Sequence, residues 1–501
     1  MCAKVVAIFD DTTGTQNLLN GIVPTVNEQF LRPFLRSAEA PRCLGISTVN
    51  DIKTNVNLNE NVFACQCCAV IFDDVTGTQN LLKGIVPKAN KQFLRPAEAP
   101  RHLGFSTLPN IGGTVNDIKA NVDLNENGGS VFDVTKHGAK GDGETDDAHA
   151  FMTTWIAACR NTVGPTKFLI PQGTFLVGPV TFAGPCKSFP ITLENQGTVK
   201  ATTDISAYSS PEWFSLEDIT GFILTGSGVF DGQGLSVWAY NDCKKNNLCQ
   251  PLPISIKFTR LNHTIVDGLT SINSMGFHTS VFYCYNFTAT NMKIIAPHNS
   301  PNTDGMHLST SKLVTIANSI IGTGDDCVSI GHSTENITIT NVTCGPGHGL
   351  SVGSLGKYSK EKGVYDVLVK NCTIFNATNG ARIKTWASPI SGLASRIIFE
   401  DIVMYGVKNP IIIDQTYGTK KSEESNWKVS NVQFKNIRGT STTNVAVLLE
   451  CSKLFPCEGV ELRDINLSYG GSNLRNSTIV SSCSNAKIAT FGVQNPPPCV
   501  V

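Results

Sequence analysis

From about residue 260 to residue 465 the chain repeats one short phrase: apolar, any, apolar, any, then Asn or Asp. It reads Val314-Thr315-Ile316-Ala317-Asn318, Ile337-Thr338-Ile339-Thr340-Asn341, Val367-Leu368-Val369-Lys370-Asn371, Ile397-Ile398-Phe399-Glu400-Asp401, Val432-Gln433-Phe434-Lys435-Asn436 and Val460-Glu461-Leu462-Arg463-Asp464. Weaker copies end at Asp267 and Asn291. Alternation with a period of two predicts short strands with one buried face. The Asn/Asp positions step by 24, 27, 23, 30, 30, 35 and 28 residues. That step is too short for a propeller blade and fits one coil of a right-handed parallel β-helix. A β-sandwich would need strands every 8–12 residues or about that, joined by clear hairpin turns, and few such turns occur. The predicted fold is all-β: a right-handed parallel β-helix solenoid over residues 131–501. Its Asn/Asp corners are expected to stack and to bond to the backbone of the next coil.

Two stretches break the pattern. Residues 146–159 place Phe151, Met152, Trp155, Ile156 and Cys159 at helical spacing, with Thr145 or Asp146 as N-cap. This helix is expected to cap the N-terminal end of the solenoid, where bare strand edges invite aggregation. Residues 1–130 are a duplication: Ile8-Phe9-Asp10-Asp11 returns as Ile71-Phe72-Asp73-Asp74, residues 14–19 as 77–82, and residues 49–53 as 115–119. Each copy is polar and proline-broken. The expectation is a poorly ordered extension of unknown role, a separate unit from the solenoid domain at 131–501.

Composition narrows the function. Forty basic and forty acidic residues cancel, which argues against a nucleic-acid partner. No apolar run approaches a membrane span. Seventeen cysteines are many for a reducing compartment. Cys243/Cys249, Cys451/Cys457 and Cys483/Cys499 close short loops and are expected to be disulfides, with at least one thiol left over. Cys65, Cys67 and Cys68 cluster tightly but lack partners at zinc-finger spacing. Near the N-terminus Val5 to Phe9 is too short for a signal-peptide core.

Candidate chemistry lies at one-coil intervals. The clusters are Asn302-Thr303-Asp304-Gly305, Gly324-Asp325-Asp326-Cys327, Gly347-His348-Gly349 and Arg382-Ile383-Lys384, with Tyr417 one coil further. Asp304, Asp326 and His348 stand 22 residues apart. In a β-helix that spacing brings them to one point of the circumference, on coils stacked about 4.8 Å apart. Carboxylates held so close raise one another's pKa. One can then serve as general acid while another activates water, as glycoside hydrolysis requires. Arg382 and Lys384 alternate along a strand, so they share a face suited to an anionic substrate. Taken singly, each cluster also reads as turn chemistry, and three carboxylates also suit Ca²⁺. Both Asp325 and Asp326 reaching one cleft demands a bend, because neighbours on a straight strand point apart.

Those four motifs, in that order, resemble the polygalacturonases of the pectin-degrading glycoside hydrolases. Residues 300–307, 322–331, 344–356 and 380–386 are similar to the plant branch, and most so to its pollen-type exopolygalacturonases. The resemblance spans about residues 131–499. It implies a secreted cell-wall enzyme, a monomer without metal or cofactor, that hydrolyses α-1,4 bonds of polygalacturonate with inversion. It implies Asp325 as proton donor, Asp304 and Asp326 as activators of water, and His348 as support for the acid. Arg382, Lys384, Tyr417 and Asn302 would bind substrate, and Cys327 would pair with Cys344. Exo action is expected, with endo action the alternative. A calcium-dependent pectin lyase and a non-catalytic pectin-binding wall protein are the competing readings. Eight Asn-x-Ser/Thr sequons allow glycosylation on export. Gly418-Thr419-Lys420-Lys421-Ser422 lacks the cysteine-bearing loop of plant relatives, which puts substrate affinity in question.

Overall fold

The computed structural model describes residues 129–242, 246, 249–418, 424–471 and 478–499. The duplicated extension lies outside them except for its last two positions. So do Cys243 of the expected Cys243/Cys249 pair, Asn476 and residues 419–422.

The strands stack in parallel, coil upon coil. One sheet of eleven strands runs from Val180–Ala183 to Val480–Ser484. The other strands form two ladders that merge into a nineteen-stranded sheet, because from Lys312–Gly322 onward one long bent strand serves both. This is the predicted parallel β-helix. The period-two phrase is the inward half of each bent strand. Val314, Ile337, Val367, Ile397, Val432 and Val460 pair in register across successive coils and are buried.

The bend falls on the predicted Asn/Asp positions. Asn318, Asn341, Asn371, Asp401, Asn436 and Asp464 have φ between 48° and 56°. This left-handed conformation is one that Asn and Asp tolerate and β-branched residues resist. At the weak copy Asp267 the positive φ passes to Gly268. One expectation is corrected: most corner side chains bond to each other, not to the next coil's backbone. Asn341 Nδ2 donates to Asn318 Oδ1 at 3.0 Å, Asn371 Nδ2 to Asn341 Oδ1 at 2.6 Å, and Asn436 Nδ2 to Asp401 Oδ1 at 2.8 Å. Coil spacing matches the reach between stacked amides, while backbone donors there already serve the ladder. Asp464 does accept from backbone, at Val493 N, because Gly492 fills the next bend and carries no amide.

The capping helix is Ala148–Arg160. Its N-cap is Asp147, one residue later than expected. Asp146 instead accepts from Ala148 N at 2.9 Å, and the Asp147 carboxylate holds Lys140 N at 2.7 Å and Gly141 N at 3.1 Å. Phe151 and Trp155 are buried, Trp155 stacking on Phe182 with centroids 4.7 Å apart. The expected Cys327–Cys344, Cys451–Cys457 and Cys483–Cys499 bridges are present. A further one, Cys159–Cys186, ties the cap to the first coils and had no sequence signal beyond the cysteines themselves. Cys284 and Cys372 are buried free thiols.

Candidate active site

Over its middle coils the eleven-stranded sheet keeps two rows of side chains in register. Its inner positions stack apolar side chains, such as Phe258, Val281, Leu308, Ile330, Val352 and Ile383. The outer positions beside them carry Lys257, Ser280, His307, Ser329, Ser351 and Arg382 in one row. The loops entering three consecutive strands deliver the predicted acids. Asp304, Asp326 and His348 each stand two residues before Met306, Val328 and Leu350, which pair in register. The 22-residue spacing therefore does place them on one corner of adjacent coils.

The bend demanded between Asp325 and Asp326 is present. Residues 323–327 leave the strand, and Asp326 N donates to the Asp325 side chain at 2.8 Å. Neighbouring coils grip this turn from both sides: Gly305 N donates to Asp326 O at 2.9 Å and His348 N to Asp325 O at 2.8 Å. Glycine is required at position 324, where a Cβ would fall on the Ser300 carbonyl oxygen. The Cys327–Cys344 bridge fastens the turn to the following coil.

Each carboxylate has its own surroundings. Asp326 is fully buried, with Ser351 Oγ at 2.7 Å, Lys384 Nζ at 2.6 Å and Arg382 Nη1 at 3.6 Å. Asp304 is buried and accepts from Ser329 Oγ at 2.7 Å. Burial and then the negative charges of Asp325 and Asp326 raise its pKa well above the ordinary range. Asp325 is the most accessible of the three and bonds His348 Nδ1 at 2.9 Å. Burial pushes its pKa up, but the His348 bond, the charges of His348 and Lys384 and the Asp326 N–H together outweigh it and leave it lowered. Lys384 is also buried, which lowers its pKa, but the negative charge of Asp326, together with Tyr417 and Asp304, leaves it raised.

Tyr417 closes one side. Arg382 lies 5.4 Å and Lys384 Nζ 5.2 Å from its ring centroid, and Trp386 meets the ring edge-on at 5.4 Å. Arg382 Nε is buried without a hydrogen-bond partner among the described residues. Asn302 is exposed, donates to Asp325 Oδ2 at 3.4 Å, and accepts from Asn241 at 3.1 Å. All eight residues singled out in the sequence thus converge.

Three neighbours were missed: Ser329, Ser351 and His307. The serines carried a signal, since each stands 25 residues after the aspartate it holds. Asp325, Asp326 and His348 also offer donor atoms within 4.8 Å of one another, as a cation site would. Their donors are already engaged, however: His348 Nδ1 with Asp325, and both Asp326 oxygens with Ser351 and Lys384. An ammonium 2.6 Å from the central carboxylate opposes a second cation there.

The family model for glycosyl hydrolases family 28 matches residues 159–491, which contain the whole cluster. The chain belongs to family 28. It is a glycoside hydrolase of the polygalacturonase kind. An exopolygalacturonase of Arabidopsis thaliana is 46% identical to it over 74% of this chain and 88% of that protein. An exopolygalacturonase of Platanus acerifolia is 44% identical over 74% of this chain and 98% of that protein. The endo-xylogalacturonan hydrolase of Aspergillus tubingensis has a similar fold, with a TM-score of 0.61 and 23% identity over 72% of this chain and 100% of that one.

Proposed function

We propose that this enzyme hydrolyses α-1,4-galacturonosyl linkages of homogalacturonan by an inverting, metal-independent acid–base mechanism, working from chain ends in the cell wall. The observation that carries this reading is the pair of buried cations, Arg382 and Lys384, packed on Tyr417 beside three aspartates. A neutral sugar has no use for them, whereas a galacturonate carboxylate pairs with a guanidinium whose Nε lacks a partner. The plant relatives named exopolygalacturonase support the same substrate class and exo action. Four disulfides among the described residues suit an oxidising compartment, and no helix among those residues is long and apolar enough to cross a membrane.

In this mechanism Asp325, the accessible carboxyl, protonates the leaving oxygen. Asp304 and Asp326 together hold and deprotonate the attacking water, and His348 orients Asp325. Asn302 binds the sugar next to the acid. The free enzyme holds its proton the other way round, since Asp304 is pushed up and Asp325 is held down. The competent form is then a minor one. The two limbs of the pH profile belong to the coupled pair, the alkaline limb following Asp304.

The test is the full chain on polygalacturonate with a chelator, beside Asp325→Asn. Saturated galacturonate from the wild type and none from the variant support the reading. Monomer from the first minutes marks exo action, and mixed oligomers mark endo action. Unsaturated products that appear only with calcium would replace it with the lyase reading. A folded but inert wild type would favour a pectin-binding role.

A further inference from the structure

The outer row of the sheet contains a largely buried relay that none of the assigned roles uses. His307, Ser329 and Ser351 stand on adjacent strands in direct register. Ser329 Oγ donates to Asp304 Oδ2 at 2.7 Å, and the same oxygen meets His307 Nδ1 at 2.9 Å. A serine hydroxyl has one proton. With that proton given to Asp304, Ser329 must accept at His307, so His307 carries its proton on Nδ1. The imidazole lies tilted against Phe277, centroids 5.1 Å apart. Burial, then Lys384 and His332, hold its pKa down to about 4. Above that pH it acts through its tautomer and not through charge.

We infer that His307 and Ser329 are positioning residues for Asp304: the chain His307 Nδ1–H to Ser329 O–H to Asp304 favours the ionised form of that carboxylate and aims it at the water. Asp326 receives a comparable hydroxyl from Ser351, but its excess charge is met by Lys384. Asp304 faces Asp325, Asp326 and Lys384, and burial with the two like charges prevails over the lysine. Ser329 supplies the one hydrogen bond to its carboxylate among the described residues. The relay also reverses. When Asp304 takes a proton and donates to Ser329, the serine proton turns to His307 Nδ1, and the imidazole must carry its own proton on Nε2. The inference rests on the assignment of Asp304 to the attacking water.

The test has an activity arm and a spectroscopic arm, both on the full chain. Ser329→Ala and His307→Leu raise the proton affinity of Asp304. Because the competent form needs Asp304 ionised, the alkaline limb of kcat/KM rises by about one pH unit and the peak falls about tenfold, the two changes being tied. His307→Asn, whose amide nitrogen can replace the Nδ1 donor, restores both. A structural role would lower the peak without moving the limb, and that result overturns the inference. In the second arm the histidines are ¹⁵N-labelled, and the His307 signal is the one lost in His307→Asn. On the alkaline side of the profile it must show the Nδ1–H tautomer, which free histidine disfavours. An Nε2–H signal there overturns the relay whatever the activity. An Nδ1–H signal in a protein inert on polygalacturonate keeps the relay and discards the proposed substrate.

Discussion

Two columns of polar side chains run along this solenoid, and they treat charge in opposite ways. The corner column from Asn318 to Asp464 is exposed and mostly neutral, and many of its amides satisfy the next in line. The column formed by Asp304, the Asp325–Asp326 turn and His348 is largely buried and charged, and every coil contributes something different. The first repeats one residue type because each coil faces the same backbone problem, a left-handed bend. The second shares a register with no repetition of chemistry. Repetition along a β-helix marks structure, and a register position where the residue type changes from coil to coil marks a site. The corner column pairs mostly neutral side chains, whereas the site keeps like charges together at a cost to stability.

The largest effect that would break this contrast is on catalysis. Asp304→Asn and Asp326→Asn should each lower kcat by about a thousandfold or more, as losing a general acid–base group does. Asp304→Asn should at the same time stabilise the fold at neutral pH. Its carboxyl has a raised pKa in the folded state, so folding binds its proton. The stability this contributes is complete below the ordinary carboxyl pKa of about 3.9 and is lost as pH rises through the raised value. The amide removes that loss, so the melting temperature of Asp304→Asn should exceed that of the wild type at pH 7 and approach it near pH 3. A variant that is less stable at pH 7 would mean that Asp304 holds the structure as the corner amides do.

A smaller loss is expected at the cations. Arg382→Ala should reduce kcat/KM on polygalacturonate by about 10²-fold, mostly through KM, because it removes a charge-assisted contact to substrate. Arg382→Lys should recover little of it, since a point charge cannot reproduce the fork. An Arg382→Ala enzyme with normal KM would place the sugar carboxylate elsewhere and leave Arg382 as a partner of Asp326 alone.

Much of this contrast could be read from the chain. The corner column was visible as a phrase, because inward Val and Ile and a left-handed Asn leave period-two marks. The active column was visible as spacing: coils that add no insertion keep a 22-residue step, so Asp304, Asp326 and His348 fell into register on paper. What spacing did not show was depth. Ser329 and Ser351 look like ordinary strand serines until each is seen to hold the aspartate that enters the strand one coil earlier. His307 looks like a lone histidine after a turn. The direction of the proton affinities was also hidden, because it depends on burial and on His348 choosing Asp325 over Asp326. The helix cap was misplaced by one residue because Asp146, not the N-cap Asp147, carries the side chain that accepts from the first helical N–H, while the Asp147 carboxylate turns to Lys140 and Gly141.

The smallest effect tests the corner column itself. Asn341 is exposed, has φ 55°, donates to Asn318 and accepts from Asn371. Asn341→Ala forces a Cβ without a local hydrogen bond into the left-handed region and removes both column bonds. It should cost about 1–2 kcal/mol, most of it conformational. Asn341→Gly relieves the backbone and still lacks the bonds, so its loss in a urea melt should be clearly the smaller. Activity on polygalacturonate should be unchanged in both, since the strand carrying Asn341 belongs to the nineteen-stranded sheet and not to the one whose outer row meets the aspartates. If Gly proves as damaging as Ala, the stacked amides hold the coils and the left-handed bend follows from them. The two columns would then both be side-chain devices, differing only in charge.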